Sequence, residues 1–338
     1  MSWRDDILAV MSHKEVRPVP FTLGIDGGIA QKMDEYYGTA DWRNKLVPYI
    51  VGVGGAPYIP FIETMENGLL RDAYGGIWRN DMNIPHHVQV GLSEPNLKGF
   101  EMPDPNRLLP PESVNNIKEA CKHHTNSFTN IGLGGGVWEI CWHIRGFENA
   151  LMDAALNPEF FKELTQLAGD FIIAYVKLVK DVPADSMMLG DDWGGQQGVL
   201  LGGELWREFL KPQWARIVDA IHDTGKYAIN HSCGSVAEIM PDIVDINLDI
   251  LENLQPETAG MNPYELKRKY GDKITLWGGL GSQSIIPFGT PEQLRAEIKK
   301  LCNEMGRNGG YILSTTKGVM HDTPLDNAIA VYEAFIEQ

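Results

Sequence analysis

His231 and Cys233 stand two positions apart in "YAINHSCGS" (227–235). In an extended strand, residues i and i+2 project to the same side. An imidazole nitrogen and a thiolate sulfur are preferred protein ligands for zinc. A pair at this spacing can therefore hold one ion if a neighbouring strand supplies a third donor. Two ligands are not a site, and the plainer reading is a buried histidine beside a structural cysteine. Glu252, near the end of the next apolar run "DILENLQP" (249–256), is the candidate third ligand. Adjacent strands lie about 4.8 Å apart, so its carboxylate can reach an ion held by His231. A solvated rim carboxylate is the alternative. Lys317 cannot ligate zinc while protonated, but it can pair with a carboxylate on a substrate.

"LGDDWGGQQG" (189–198) gathers two carboxylates, an indole and two amides. Paired carboxylates suit acid–base work, because mutual repulsion separates their proton affinities. They equally suit hydrogen-bonded support of a ligating histidine. Asp192 is the candidate catalytic group, with Trp193 and Gln196 as substrate contacts. The alternative is that one aspartate caps the turn that follows. "GGGVWEICWHIRGFENALMD" (134–153) adds Trp138 and Trp142, which can wall an apolar or methylated substrate or simply pack in the core. Cys141 and His143 repeat the Cys-x-His spacing, but on a helical pattern, so Cys141 reads as structural. Cys121 and Cys302 also fall on helices, and the His86–His87 pair reads as surface.

These groups need elements to position them. From residue 157 the pattern is regular. "NPEFFKELTQLAGDFIIAYVKLVKD" is helical, with Asn157 as its cap and Pro158 in its first turn. "SMMLGDD" follows as a strand. The segments 200–225, 237–246, 262–271, 290–310 and 323–338 read as helices. Asn262 caps one, and Thr290 with Gln293 opens another at capping-box spacing. Between them, 226–234, 249–256, 273–281 and 311–318 read as apolar strands. Such alternation predicts a parallel sheet with helical crossovers, buried on both faces. The polar candidates sit at the carboxyl ends of the strands, where a (β/α)₈ TIM-type barrel carries its site. A doubly wound sheet is the alternative, but no phosphate-binding glycine fingerprint opens a helix after the first strand. "VPFTLGIDGG" (19–28) and "FTNIGLGGGVWEICW" (128–142) read as further barrel strands. Residues 53–110 read as a cap or insertion within a single domain spanning 1–338.

The 338 residues are 43% hydrophobic and 22% charged, in keeping with a soluble globular protein. A net charge of −16 argues against nucleic acid and anionic membrane surfaces as partners. No apolar run approaches a membrane span, and the charged start "MSWRDDILAVMSHKEVRP" lacks the apolar core of a secretory signal. Four scattered cysteines suit a reducing compartment, and the expectation is a cytoplasmic protein.

An ordered series of segments resembles the uroporphyrinogen decarboxylase-like superfamily. It comprises "NPEFFKEL", the run from "GDDWGGQQG" to "MPDIVDI", "DILENLQP", "GMNPYELKRKYGDKITLWGGL" and "GGYILSTTKGVMHDTPLDNAIAVYEAF". The likeness is strong over 148–338 and weak before it. It implies a (β/α)₈ barrel of the uroporphyrinogen decarboxylase type. True decarboxylases of this group carry an Arg-Gln-Ala-Gly-Arg segment near the amino terminus, where this chain reads "KEVRPVPFTLGIDGG". His231-x-Cys233 instead looks like the zinc motif of methyltransferases that work with corrinoid proteins. The coenzyme M type takes a third Cys ligand from the last strand, where this chain has Lys317. The O-demethylase type is thereby implied, with Glu252 completing the zinc site. A methoxylated aromatic is the expected donor, bound by the tryptophans, and a corrinoid (cobalamin) protein is the expected partner. Relatives make a homodimer plausible. A metal-free decarboxylase of a tetrapyrrole or small acid is the alternative.

Overall fold

The computed structural model describes residues 2–66, 68–81 and 84–338. Twelve strands are labelled in chain order: β1 (Phe21–Thr22), β2 (Ile50–Gly55), β3 (Phe61–Thr64), β4 (Leu70–Asp72), β5 (Ile77–Asp81), β6 (Ile84–Gln89), β7 (Phe128–Gly135), β8 (Ser186–Gly190), β9 (Tyr227–His231), β10 (Ile250–Leu254), β11 (Thr275–Leu280) and β12 (Tyr311–Thr315). Among the described residues, eight of them pair in the order β1–β12–β11–β10–β9–β8–β7–β2, and every pairing is parallel. Long helices cross back between them, including Pro111–His123, Pro158–Val179, Lys211–His222, Pro263–Tyr270 and Pro291–Met305. Helices on the outer face and side chains on the inner face bury both sides of the strands, so β11 and β12 are buried at every residue. The two ends of the curled sheet, β1 and β2, meet through side chains. Phe21 packs edge-on against Tyr49 with ring centroids 5.6 Å apart. The arrangement is the expected TIM-type α/β fold.

Local chemistry sets the helix ends. Asn262 accepts from Glu265 N at 3.1 Å. Thr290 and Gln293 close a reciprocal capping box. Asn157 occupies the cap position but makes no cap bond, and its amide turns to Asp153 at 2.9 Å. The helical stretch expected over 200–225 is broken. A π turn spans Trp206–Leu210, and Lys211–His222 continues from it. Pro212 has no N–H to offer the preceding turn, which accounts for the irregularity there.

The segment expected as an insertion from residue 53 begins later, because β2 runs to Gly55 and belongs to the barrel. A Cβ on Gly55 would lie 1.8 Å from Gly132 O, so this strand needs glycine where strand propensity disfavours it. After it, β3–β6 form a separate antiparallel sheet. Trp78, fully buried, fastens that sheet to the helix Val137–Arg145 through its rings' contacts with Trp142 and His143. Asp72 organises the turn by accepting from Tyr74 N, Gly76 N and the Trp78 indole.

Candidate metal centre at the carboxyl end of the barrel

His231 is the last residue of β9, lying beside Gly190 of β8 and Glu252 of β10 in the ladder. Its ring is gripped from two sides. The Glu252 carboxylate bonds Nδ1 in a very short contact, and Cys233 Sγ lies 3.3 Å from Nε2. Asp192 Oδ1 lies 3.8 Å from the same Nε2 and accepts from Cys233 N at 2.7 Å. Ligand atoms of Asp192, His231 and Cys233 all lie within 4.8 Å of one another. Glu252 therefore does not stand where a ligand beside Cys233 would stand. The in-register pairing of β9 and β10 places it on the opposite ring nitrogen, where it fixes the ring's orientation. On the Nε2 side, the third group that could serve as a donor is Asp192.

Two loops cross to make this geometry. Gly234 adopts φ +79°, and a Cβ there would lie 2.4 Å from Gly194 C. Ser235 N donates to Gly195 O at 2.8 Å, and Ser232 Oγ accepts from Trp193 N at 2.9 Å. The backbone contact holds the Asp192 loop against the Cys233 loop. Beneath them Asp191 is fully buried. It accepts from Glu139 N at 3.0 Å and from the indoles of Trp193 and Trp214 at 2.8 and 2.7 Å. Burial outweighs these bonds and pushes its carboxyl up to about 6. Asp191 is thus the structural aspartate and Asp192 the one presented to the centre.

Electrostatics follow from the packing. Burial disfavours a charged His231, but hydrogen bonds to Cys233 and Glu252 prevail and push it up to about 11. Glu139, on the helix Val137–Arg145, lies 3% exposed beside Asp192, whose N–H points to Oε1 at 3.4 Å. Burial, opposed by a hydrogen bond to Tyr58 and reinforced by Asp191 and Asp192, pushes its carboxyl up to about 8. Its other oxygen lies 3.7 Å from His143 Nε2, and burial pushes His143 down to about 3.

The remaining candidates fall in two places. Gln196 and Lys317 are exposed and line a cavity of about 570 Å³ that also reaches Cys233. The tryptophans do not line it. Trp138 is 1% exposed and packs edge-on against Phe147 and Phe161. Trp193 is equally buried, against Trp206 and Trp214. Trp142 faces Trp78 and His87 of the small sheet. An indole needs a large apolar surround, and here the core provides it rather than the barrel mouth. His86 is exposed as expected, whereas His87 stacks on Trp78 and its Nε2 bonds His143 O at 2.9 Å.

Sequence reasoning missed Glu139, Tyr58 and Asn253. Glu139 and His143 stand four apart on one helix face, which was the available signal. Asn253 directly follows Glu252, but alternation along a regular strand would turn it away. A register shift between Glu252 and Leu254 makes Asn253 the extra residue of a bulge, and bulges re-aim side chains near sites. Its Nδ2 lies 3.5 Å from Cys233 Sγ.

Comparison with known proteins gives a consistent picture. A sequence model described as uroporphyrinogen decarboxylase (URO-D) matches residues 77–338. A methylated-thiol–coenzyme M methyltransferase of Methanosarcina mazei is 27% identical over 218 residues, covering 64% of this chain and 56% of that protein. A uroporphyrinogen decarboxylase of Dechloromonas aromatica is 25% identical over 239 residues, covering 66% and 62%. The chain thus aligns with less than two thirds of the length of either relative. A solved structure of a methyltransferase from Methanosarcina mazei superposes with a TM-score of 0.72 at 17% identity, covering 100% of this chain and 99% of that one, a likeness of fold.

Proposed function

The chain belongs to the uroporphyrinogen decarboxylase (URO-D) family, and we propose that within it this protein is a zinc-dependent methyltransferase. In this reading it moves a methyl group from a small donor to the cobalt of a corrinoid held by a partner protein. The observation that carries the proposal is the convergence of Asp192, His231 and Cys233. An oxygen, a nitrogen and a sulfur donor suit zinc, and three protein ligands leave a position for substrate, the pattern of catalytic rather than structural sites. Zinc bound there would act as a Lewis acid on the heteroatom that carries the methyl group.

The chain's own residues have definite parts. Glu252 holds Nδ1, which leaves Nε2 of His231 to face the centre, where it must give up its proton to act as a ligand. Cys233 N holds the Asp192 carboxylate in place. The cavity beside Cys233 gives a small molecule access to the free position. O-demethylation is the proposed chemistry, since an alkoxide is a leaving group that benefits from a Lewis acid and a proton. Glu139 is a buried group beside the centre that keeps its proton at neutral pH. A methoxylated aromatic loses the support it drew from Trp138, Trp142 and Trp193, because none lines the cavity.

The decarboxylase reading is represented among the relatives. It requires cationic groups for several substrate carboxylates. Arg17, the one arginine of residues 14–28, is instead spent on Cys302 O at 2.6 Å and Glu15 at 3.0 Å. The test is incubation with a cobalt(I) corrinoid and a panel of methyl ethers, thioethers and methylamines, following the cobalt spectrum. About one equivalent of zinc, lost in His231→Ala together with methyl transfer, is the expected result. A zinc-free protein that decarboxylates at full rate would refute it.

A further inference from the structure

Asn253 is 3% exposed and lines the cavity next to Cys233, yet its Oδ1 has no hydrogen-bond partner. The bulge in β10 holds it there, and its Nδ2 is directed at the Cys233 sulfur. A buried acceptor left unmet is unfavourable, so the site favours a ligand that donates at that atom. On the same cavity Lys317 is an exposed cation that forms no ion pair among the described residues. The wall is otherwise built of amides and hydroxyls, with Ile286, Pro287 and Met320 as its apolar part. His321 and Asp322 also reach it, but no Phe, Tyr or Trp does. A neutral arene would find no ring to stack on, and one without an N–H or O–H would leave Asn253 Oδ1 unmet.

We propose that the methyl donor is a small polar acid bearing an N–H or O–H close to its methyl-carrying end. Asn253 Oδ1 accepts from that group, and Lys317 pairs with the acid. This rests on reading the centre as a methyl-transfer site, and it narrows the donor from any small methyl compound to one chemical class. The carboxylate lies towards Lys317, and the methyl-bearing atom faces Cys233. Asp322 favours an ammonium as the donating group, since opposite charges attract, and it keeps the acid on the Lys317 side.

The experiment is calorimetric titration of the full chain, of measured zinc content, with four probes. O-methylserine carries acid and donor, methoxyacetate the acid alone, 2-methoxyethanol the donor alone, and 2-methoxyphenol the donor on a neutral ring without the acid. O-methylserine is expected to bind about tenfold or more tightly than each of the others, the factor that one charge-assisted contact supplies. Lys317→Gln, an exposed change that leaves folding intact, should remove the advantage of the acid. Asn253→Leu should remove the advantage of the N–H. Failure of O-methylserine to bind, tighter binding of 2-methoxyphenol, or an unchanged affinity in Lys317→Gln would overturn the proposal. Methyl transfer to cobalt(I) from 2-methoxyphenol alone would keep the methyltransferase reading and remove this one. Binding in the expected order, with no methyl transfer from any donor, would keep the pocket and remove the methyltransferase.

Discussion

His231 is held at both ring nitrogens, and the two partners do different work. Cys233 lies on the Nε2 side, where Asp192 also stands, whereas Glu252 holds Nδ1 on the other side of the ring. Glu252→Gln keeps the shape and removes the charge, so zinc affinity should fall by about 10–100-fold while folding is retained. Competition against a chelating dye would measure this, and unchanged affinity would show that Glu252 does not support the ligand. His143 has a separate consequence. Burial holds it near 3, against about 6.5 for an exposed histidine. Between these values the unfolded chain binds a proton that the native chain does not, so stability falls as pH drops through this window. The slope is about 1.4 kcal/mol per pH unit. Glu139, raised to about 8, acts in the opposite direction from about 8 down to its ordinary value. His143→Phe suits the ring cluster of Tyr58, Trp78 and Trp142. Urea denaturation at pH 5 and pH 7 should show the variant gaining stability relative to wild type at the lower pH. An equal difference at both values would refute the assignment.

At the scale of elements, the centre depends on two loops and a bulge rather than on any strand alone. The strands β8, β9 and β10 bring Gly190, His231 and Glu252 into line, and the loops beyond them add Asp192 and Cys233. The Gly194–Gly234 contact fixes the loops against each other. Gly234→Ala adds a Cβ in a left-handed conformation against backbone, so it should cost about 1–3 kcal/mol and weaken zinc binding with it. Thermal melts with and without zinc would report both effects. A variant that melts like wild type and keeps its zinc would mean that the contact yields easily. The small sheet β3–β6 stands apart from this arrangement and meets the barrel through Trp78 and its ring contacts.

At the scale of the whole molecule, the hydrophobic core is built without the candidate donors. Ile229, Leu251, Leu276 and Leu313 are buried in the sheet, and none is one of the converging donors. Chelation should therefore leave the far-ultraviolet circular dichroism unchanged. It should lower the melting temperature by roughly 5 °C, the value of a ligand present at about 100 times its dissociation constant. Loss of secondary structure on chelation would show instead that metal is required for folding. No helix among the described residues is long and apolar enough to cross a membrane.

The amino-acid order by itself determined the alternation of strand and helix after residue 157, the capping at Asn262 and Thr290, and the placement of polar groups at strand ends. Each of these is a local matter of period, cap chemistry and hydrophobic continuity. The barrel strand β2 was obscured, because its glycines serve a close approach to β7 that no local pattern announces. Only the tertiary structure decided that Asp192 rather than Glu252 faces Cys233, that Asn253 turns inward, and that Trp138 and Trp193 belong to the core. Those outcomes depend on register between neighbouring strands, on a bulge and on two loops packed backbone to backbone. They join residues some 20 to 60 positions apart in the chain, and spacing along one segment carries no record of them.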